Sequence, residues 1–311
     1  MGFQKKNPLN AVQRGKMGST RWWIWISLFL LIISLQPACL YSKKARVGAA
    51  ALLVKDVAKA AYKQSDLTII REGMPAYLML MDGMVEAWPD NEQLLIATAQ
   101  AYSSFASLFA EDQSEEYLKL IAEKARAYAL RALEQRGFKN PTQSSFDDFE
   151  REVKASNKKD VPYLFWGATC WASWIMMHLD SMEAMAELPR VELMMRRTLE
   201  LDEGFYYGGP HIFMGIWLAV RPRIAGGDLQ KSQEHFLRAL DLGKGKFLMA
   251  YVYYADYYAR RAMDRELFVS TLKKVLETPA DCAPELTLLN TVAQQKAKEL
   301  LAHVDEYFEL F

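Results

Sequence analysis

Along most of the chain, apolar side chains return every third or fourth residue, and no sustained alternation of period two replaces that helical rhythm. Tyr163, Trp166, Gly167 and Cys170 stand at offsets of three, four and seven. His211, Met214, Gly215 and Leu218 repeat those offsets, again with a small residue in third place, as do Leu95, Thr98, Ala99 and Tyr102, and Tyr251, Tyr254, Ala255 and Tyr258. Ser232, Phe236 and Ala239 give a small–large–small stripe behind the turn Gly226-Gly227-Asp228. Ala125, Ala129 and Ala132 supply a comparable stripe after a polar delay at 111–116, and Phe268, Leu272 and Val275 supply another. Further helices are predicted over 46–62 (Ala49, Ala50, Leu53, Val57, Ala60, Ala61), over 74–88 with Pro89 as its stop, and over 287–311, where Leu289, Val292, Ala293, Leu300, Val304 and Phe308 share a side. Pro279 and Pro284 bracket the turn before the last of these. Residues 137–159 are polar and read as an insertion or loop that orders partly on the domain.

Offsets of this kind are those of a tetratricopeptide (TPR) unit, whose first helix needs a small residue where the second crosses it closely. The pattern therefore predicts an all-α, TPR-like helical-repeat domain over 48–311, built from several degenerate helix-turn-helix units. Gly167, Gly215, Phe236 and Ala239 are its structural repeat positions. No Gly/Ser linker divides it, and its length suffices for one large core.

The first 38 residues follow another rule. They carry five basic side chains (Lys5, Lys6, Arg14, Lys16, Arg21) and no acidic one, and Trp22 to Leu35 is apolar but for Ser27 and Ser34. Fourteen residues suit a signal peptide, whereas a spanning helix needs roughly 20. The run ends at Leu35-Gln36-Pro37-Ala38-Cys39, an atypical lipoprotein box, so 1–38 is read as a signal peptide, Cys39 as a lipidation site and 39–47 as a tether. An uncleaved anchor or ordinary cleavage are the alternatives, and each exports the remainder. The whole chain balances 38 basic against 38 acidic residues; removing the five leaves 33 against 38, a net charge of about −5. A mildly acidic surface argues against nucleic acid as partner.

Candidate chemistry is sparse. His178, His211, His235 and His303 form no HExxH pair and no metal-ligand spacing; His178 reads as a helix cap, and His235 and His303 as exposed helix positions. No GxSxG elbow or bare phosphate-binding glycine loop occurs, so no catalytic residue, metal or cofactor is expected. Cys170 and Cys282 could pair after export, but Cys170 falls on a core position and reads better as a buried thiol. Aromatic residues carry more information. Trp166 occupies a repeat-core position, while Trp171 and Trp174 fall outside the signature and are candidates for a groove. Tyr206-Tyr207-Gly208-Gly209-Pro210-His211 reads as a tight turn with positive φ at the glycines and Pro210 in the first helical turn. It is either a plain turn or a loop facing a pore. Met176-Met177 and Met194-Met195 read as core filler, and the tyrosines of 251–258 ring a whole helix.

Several blocks in order, PYLFWGATCW, LELDEGFYYGGPHIFMG, GGDLQKSQEHFLRAL and the corner Asp264-Arg265-Glu266-Leu267-Phe268, resemble the T component of TPR-protein-associated TRAP transporters. The segments around Gly73–Leu78 and Asn290–Ala293 are similar too. The resemblance implies a periplasmic, lipid-anchored, non-catalytic protein, its inner- or outer-membrane location open. It also implies a homotrimer around a pore, partnered with a TRAP-type solute-binding subunit and able to admit a small organic acid or hydrophobic ligand. Trp171, Trp174, Tyr206, Tyr207 and His211 are then the expected lining. The alternative is a TPR scaffold for envelope assembly with no small ligand; a helical lyase or hydrolase is the remote third reading.

Overall fold

Helix starts along the chain are set by short polar side chains that occupy the free amides of the first turn. Asp66 accepts the Thr68 and Ile69 amides at 2.9 and 3.2 Å, Asn91 the Leu94 amide at 3.0 Å, and Asp228 the Lys231 amide at 3.1 Å. The structure is a computed structural model describing residues 43–109 and 113–309. The expected signal peptide and the expected lipidation at Cys39 lie outside the described residues, as does the start of the expected tether. The chain divides into residues 1–49, which contribute the opening of the first helix, and residues 50–311.

The described elements are helices: α1 (Lys43–Tyr62), α2 (Leu67–Ala87), α3 (Glu92–Phe109), α4 (Glu115–Arg136), α5 (Phe146–Ala155), α6 (Val161–Met176), α7 (Met182–Ala186), α8 (Leu188–Asp202), α9 (Phe205–Val220), α10 (Leu229–Leu242), α11 (Leu248–Tyr253), α12 (Arg265–Glu277), α13 (Thr287–Ala302) and α14 (Val304–Phe308). No strand occurs among the described residues, and no helix there is long and apolar enough to cross a membrane. The fold is all-α. Neighbours pack as α3 on α4, α4 on α6, α6 on α8 and α9 on α10, consistent with the helix-pair pattern. A Cβ on Gly215 would meet the Phe236 ring at 2.9 Å, and one on Gly167 would meet Leu133 at 3.1 Å. Phe236 and Ala239 are fully buried, and the Ser232 hydroxyl donates to the Gly215 carbonyl at 2.7 Å. Gly215 thus meets the helix that follows its own, whereas Gly167 meets α4, which precedes its own.

Three local expectations are corrected. α2 begins at Leu67, seven residues before Met74, because Asp66 caps it; Pro75 sits inside on an exposed face. Within the polar stretch 137–159, α5 is ordered on the domain: Phe149 and Val153, one turn apart, are both fully buried and α5 packs on α8. The last helix breaks at His303, and Phe308 turns back onto the Phe268 ring at 5.3 Å. After α11 the chain widens into a π-helical turn, Tyr254–Ala259, which stacks Tyr254 on Tyr258 at 5.2 Å.

Among the paired methionines, Met194 and Met195 are core, but Met176 is half exposed at the end of α6. Cys170 and Cys282 are free thiols. Cys170 is fully buried and donates to the Ala99 carbonyl at 3.6 Å, and burial pushes its pKa up to about 12.

Candidate functional site

α9 opens with a turn that L-amino acids seldom make. Tyr206, Tyr207 and Gly208 have φ of 49°, 58° and 80°, three consecutive left-handed residues. For the two tyrosines this costs about 1–2 kcal/mol each, so surrounding contacts must hold them there. The sequence pattern placed positive φ at Gly208 and Gly209; it falls instead on Gly208 and the tyrosines before it. Both glycines are needed for space. A Cβ on Gly208 would lie 3.1 Å from the Ala239 Cα, and one on Gly209 would lie 2.8 Å from the Phe165 ring.

The left-handed run pushes two half-buried phenol rings into an aromatic cluster. Tyr206 packs on Trp166 at 5.1 Å, Phe165 at 5.9 Å and Phe247 at 6.1 Å, and Tyr207 on Phe247 at 5.6 Å. From the end of α1, the Tyr62 hydroxyl comes within hydrogen-bonding reach of Tyr206, Gln100 and Ser104. Burial raises the pKa of Tyr62, Tyr206 and Tyr207 above the phenol value and that of Tyr257 to about 12. These hydroxyls therefore stay neutral at physiological pH. They can donate or accept, and they carry no charge.

One turn further on, His211 of α9 pairs with His235 of α10. His211 Nε2 lies 3.1 Å from Glu203 Oε2, and His211 Nδ1 lies 2.9 Å from Nδ1 of His235 on α10. Hydrogen bonds from Arg238, then His211, hold the Glu203 carboxyl down at about 2, so it is an acceptor. His211 must then donate from Nε2; burial lowers its pKa, and the neutral ring accepts at Nδ1. His235 is accordingly the donor at Nδ1, with a lone pair left on Nε2. Burial, then His211 and Arg196, lower its pKa to about 4. The expectation of an exposed His235 is corrected; His303 is exposed, and His178 sits against the Trp174 carbonyl at 2.8 Å, as a cap would.

The two candidate tryptophans lie in a different neighbourhood. Trp171 is fully buried, edge-on to Phe149 and bonded through Nε1 to Glu187, which leaves it no surface to offer a groove. Trp174 is half-buried between the Arg126 guanidinium, 3.8 Å from its ring centre, and the stacked His178 ring. The structure thus brings together Tyr206, Tyr207 and, one turn away, His211, and leaves Trp171 and Trp174 apart from that group. Sequence reasoning missed Phe165, Phe247 and Tyr62 and favoured a core role for Trp166. The adjacent Phe165-Trp166 pair was the available signal, because neighbours on a helix point about 100° apart and so extend aromatic surface beyond the narrow line of the repeat offsets. No cluster of three metal-ligating side chains occurs among the described residues.

A protein of Treponema pallidum (strain Nichols), described only as uncharacterized, is 23% identical over 275 residues, covering 79% of this chain and 81% of its own. The profile of a family described as TRAP transporter T-component matches residues 63–308, from the end of α1 through α14 and so including both the tyrosine turn and the histidine pair. The chain belongs to the TRAP transporter T-component family.

Proposed function

We propose that this T component is a non-catalytic, exported protein, lipid-anchored through Cys39 in the periplasm, that docks a TRAP-type solute-binding subunit and lets a small organic ligand dwell at the tyrosine turn. The observation that carries the reading is the run of three left-handed residues, Tyr206 to Gly208, which holds two phenols in a strained position within an aromatic cluster. Strain of this kind persists where surroundings over-determine it, and such places are enriched in ligand sites. Neutral hydroxyls beside aromatic faces suit weak and reversible contact, as a passage requires. A homotrimer is part of the proposal. It is supported by exposed apolar side chains on α1 and α2, among them Leu52, Leu53, Ile69 and Met79, at 60–72% exposure, which a neighbouring subunit would cover.

The test is recovery of partners from native periplasm with the chain from Ser42 onward, using light crosslinking and mass spectrometry, in parallel with light scattering for mass. Recovery of a TRAP solute-binding subunit by a trimer, weakened by Tyr206→Ala with Tyr207→Ala, is the expected result. Recovery of envelope-assembly proteins alone would favour the TPR scaffold instead.

A further inference from the structure

Beyond the tyrosine turn, a cavity of about 420 Å³ opens between α8, the middle of α9 and the start of α10. Its apolar lining includes Met214 and Leu218, both buried; its polar lining includes Arg196, Asp228, Lys231 and His235. The size lies within the range of small-molecule sites, and an apolar wall with a few convergent polar groups is their usual composition.

The polar groups differ in kind. Arg196 holds Glu192 through Nε and Nη2, at 2.9 and 2.7 Å, and its Nη1 has no partner among the described residues. Among the described residues Lys231 is tied only to Asp228, at 3.4 Å across one helical turn. These two cations can receive an anion, and the planar guanidinium favours a carboxylate. His235 offers the opposite character. The chain Glu203, His211, His235 fixes its proton on Nδ1, which leaves Nε2 of this cavity-lining ring unprotonated and without a hydrogen bond among the described residues. An acceptor beside two cations recognises a donor beside an anion.

We propose that this cavity is a second ligand site, taking a small carboxylate that carries a hydroxyl or ammonium group next to it and a short aliphatic tail. The carboxylate meets Arg196 and Lys231, the adjacent O–H or N–H donates to His235 Nε2, and the tail lies on Met214 and Leu218. Here His211 is a positioning residue: it is not needed to touch the ligand, and it sets which nitrogen His235 presents. The site stands whether or not the protein docks a solute-binding subunit, because none of its residues belongs to the tyrosine turn.

Calorimetric titration of the full chain with leucine, 2-hydroxy-4-methylpentanoate and 4-methylpentanoate tests it, since the three share a tail and a carboxylate. The first two separate an ammonium from a hydroxyl source of the donor. At least one of them should bind about tenfold or more tighter than the acid that lacks a donor. Arg196→Gln should weaken all three. His235→Phe should level them while leaving the weakest one unchanged, and His235→Gln, which keeps an acceptor, should restore part of the preference. Binding of either donor-bearing acid should also move the His235 Nε2 resonance in long-range ¹H–¹⁵N spectra. Absence of binding up to about 10 mM, equal affinity for all three acids, or a preference that survives His235→Phe would each overturn the proposal. Partner recovery with His235→Phe, which should match the unaltered chain, keeps this failure separate from failure of the transport reading.

Discussion

Asn290 fastens the C-terminal helices to the turn after α10, and its removal should be costly. It is fully buried on α13. Its side-chain carbonyl accepts the Leu248 amide at 3.0 Å, and its amide donates to the carbonyls of Lys246 at 2.9 Å and Ala280 at 3.0 Å. Asn290→Ala strands the Leu248 N–H, itself on a buried residue, at about 1–3 kcal/mol. Lys246 is exposed and Ala280 half-buried, so their carbonyls regain water and add about 0.5 kcal/mol each. The sum is about 2–4 kcal/mol, read as a lower urea midpoint with unchanged slope. Asn290→Asp separates the roles of the two ends. It keeps the acceptor for Leu248 but turns a carboxylate oxygen toward two carbonyls, which raises the introduced group's folded pKa. Such a variant binds more protons folded than unfolded, so its deficit grows as pH rises from the ordinary carboxylate range. It should be closer to the unaltered protein at pH near 4.5 than near 7.5. A deficit below about 1 kcal/mol for Asn290→Ala, or one for Asn290→Asp that does not change with pH, refutes the reasoning.

Three further outcomes are expected. Phe236→Ala should cost about 3–5 kcal/mol by emptying the α9–α10 seam, and Gly215→Val about 1–3 kcal/mol by overfilling it; combining Gly215→Ala with Phe236→Leu should be less harmful than the sum, which urea unfolding of the four proteins decides. His211 and His235 have lowered folded pKa values, so the unfolded chain binds more protons and stability falls as pH drops from about 6.5 toward about 4; unfolding midpoints should show this slope, and His235→Phe should flatten it. In the native chain from Ser42 onward, a thiol reagent should label Cys282, which is partly exposed, and leave Cys170 unmodified until unfolding; prompt labelling of both would mean that the α3–α6 contact opens readily.

The fold was legible where apolar spacing is redundant. The stripes at Tyr163–Cys170, His211–Leu218 and Ser232–Ala239 each fall within an observed helix, because several side chains independently require the same face. Boundaries were less legible. Asp66 is a lone cap eight residues before the predicted start of α2, and Pro75 looks like a stop unless its ring is known to face solvent. The α5 segment hid its character because two buried residues, Phe149 and Val153, are outvoted by the charges around them. The π-turn at Tyr254 leaves no trace in a count of apolar offsets, since one inserted residue shifts the register without changing composition.

The site was harder to read for a related reason. A glycine pair before a proline suggests that the glycines bend, and here the backbone reversal begins two residues earlier, at residue types that resist it. Only the packed surroundings explain this. Phe165 fills the space that a Cβ on Gly209 would need, Ala239 presses on Gly208, and Tyr62, more than 140 positions away in sequence, reaches the Tyr206 hydroxyl. The histidine pair is equally non-local. His211 and His235 are 24 positions apart on adjacent helices, and neither offset marks them as partners. What defines them is Glu203, whose low pKa forces the proton on His211 to one side and so decides which nitrogen of His235 is left unprotonated. Helix spacing can announce a scaffold; the direction of a proton within it depends on contacts that only the folded chain creates.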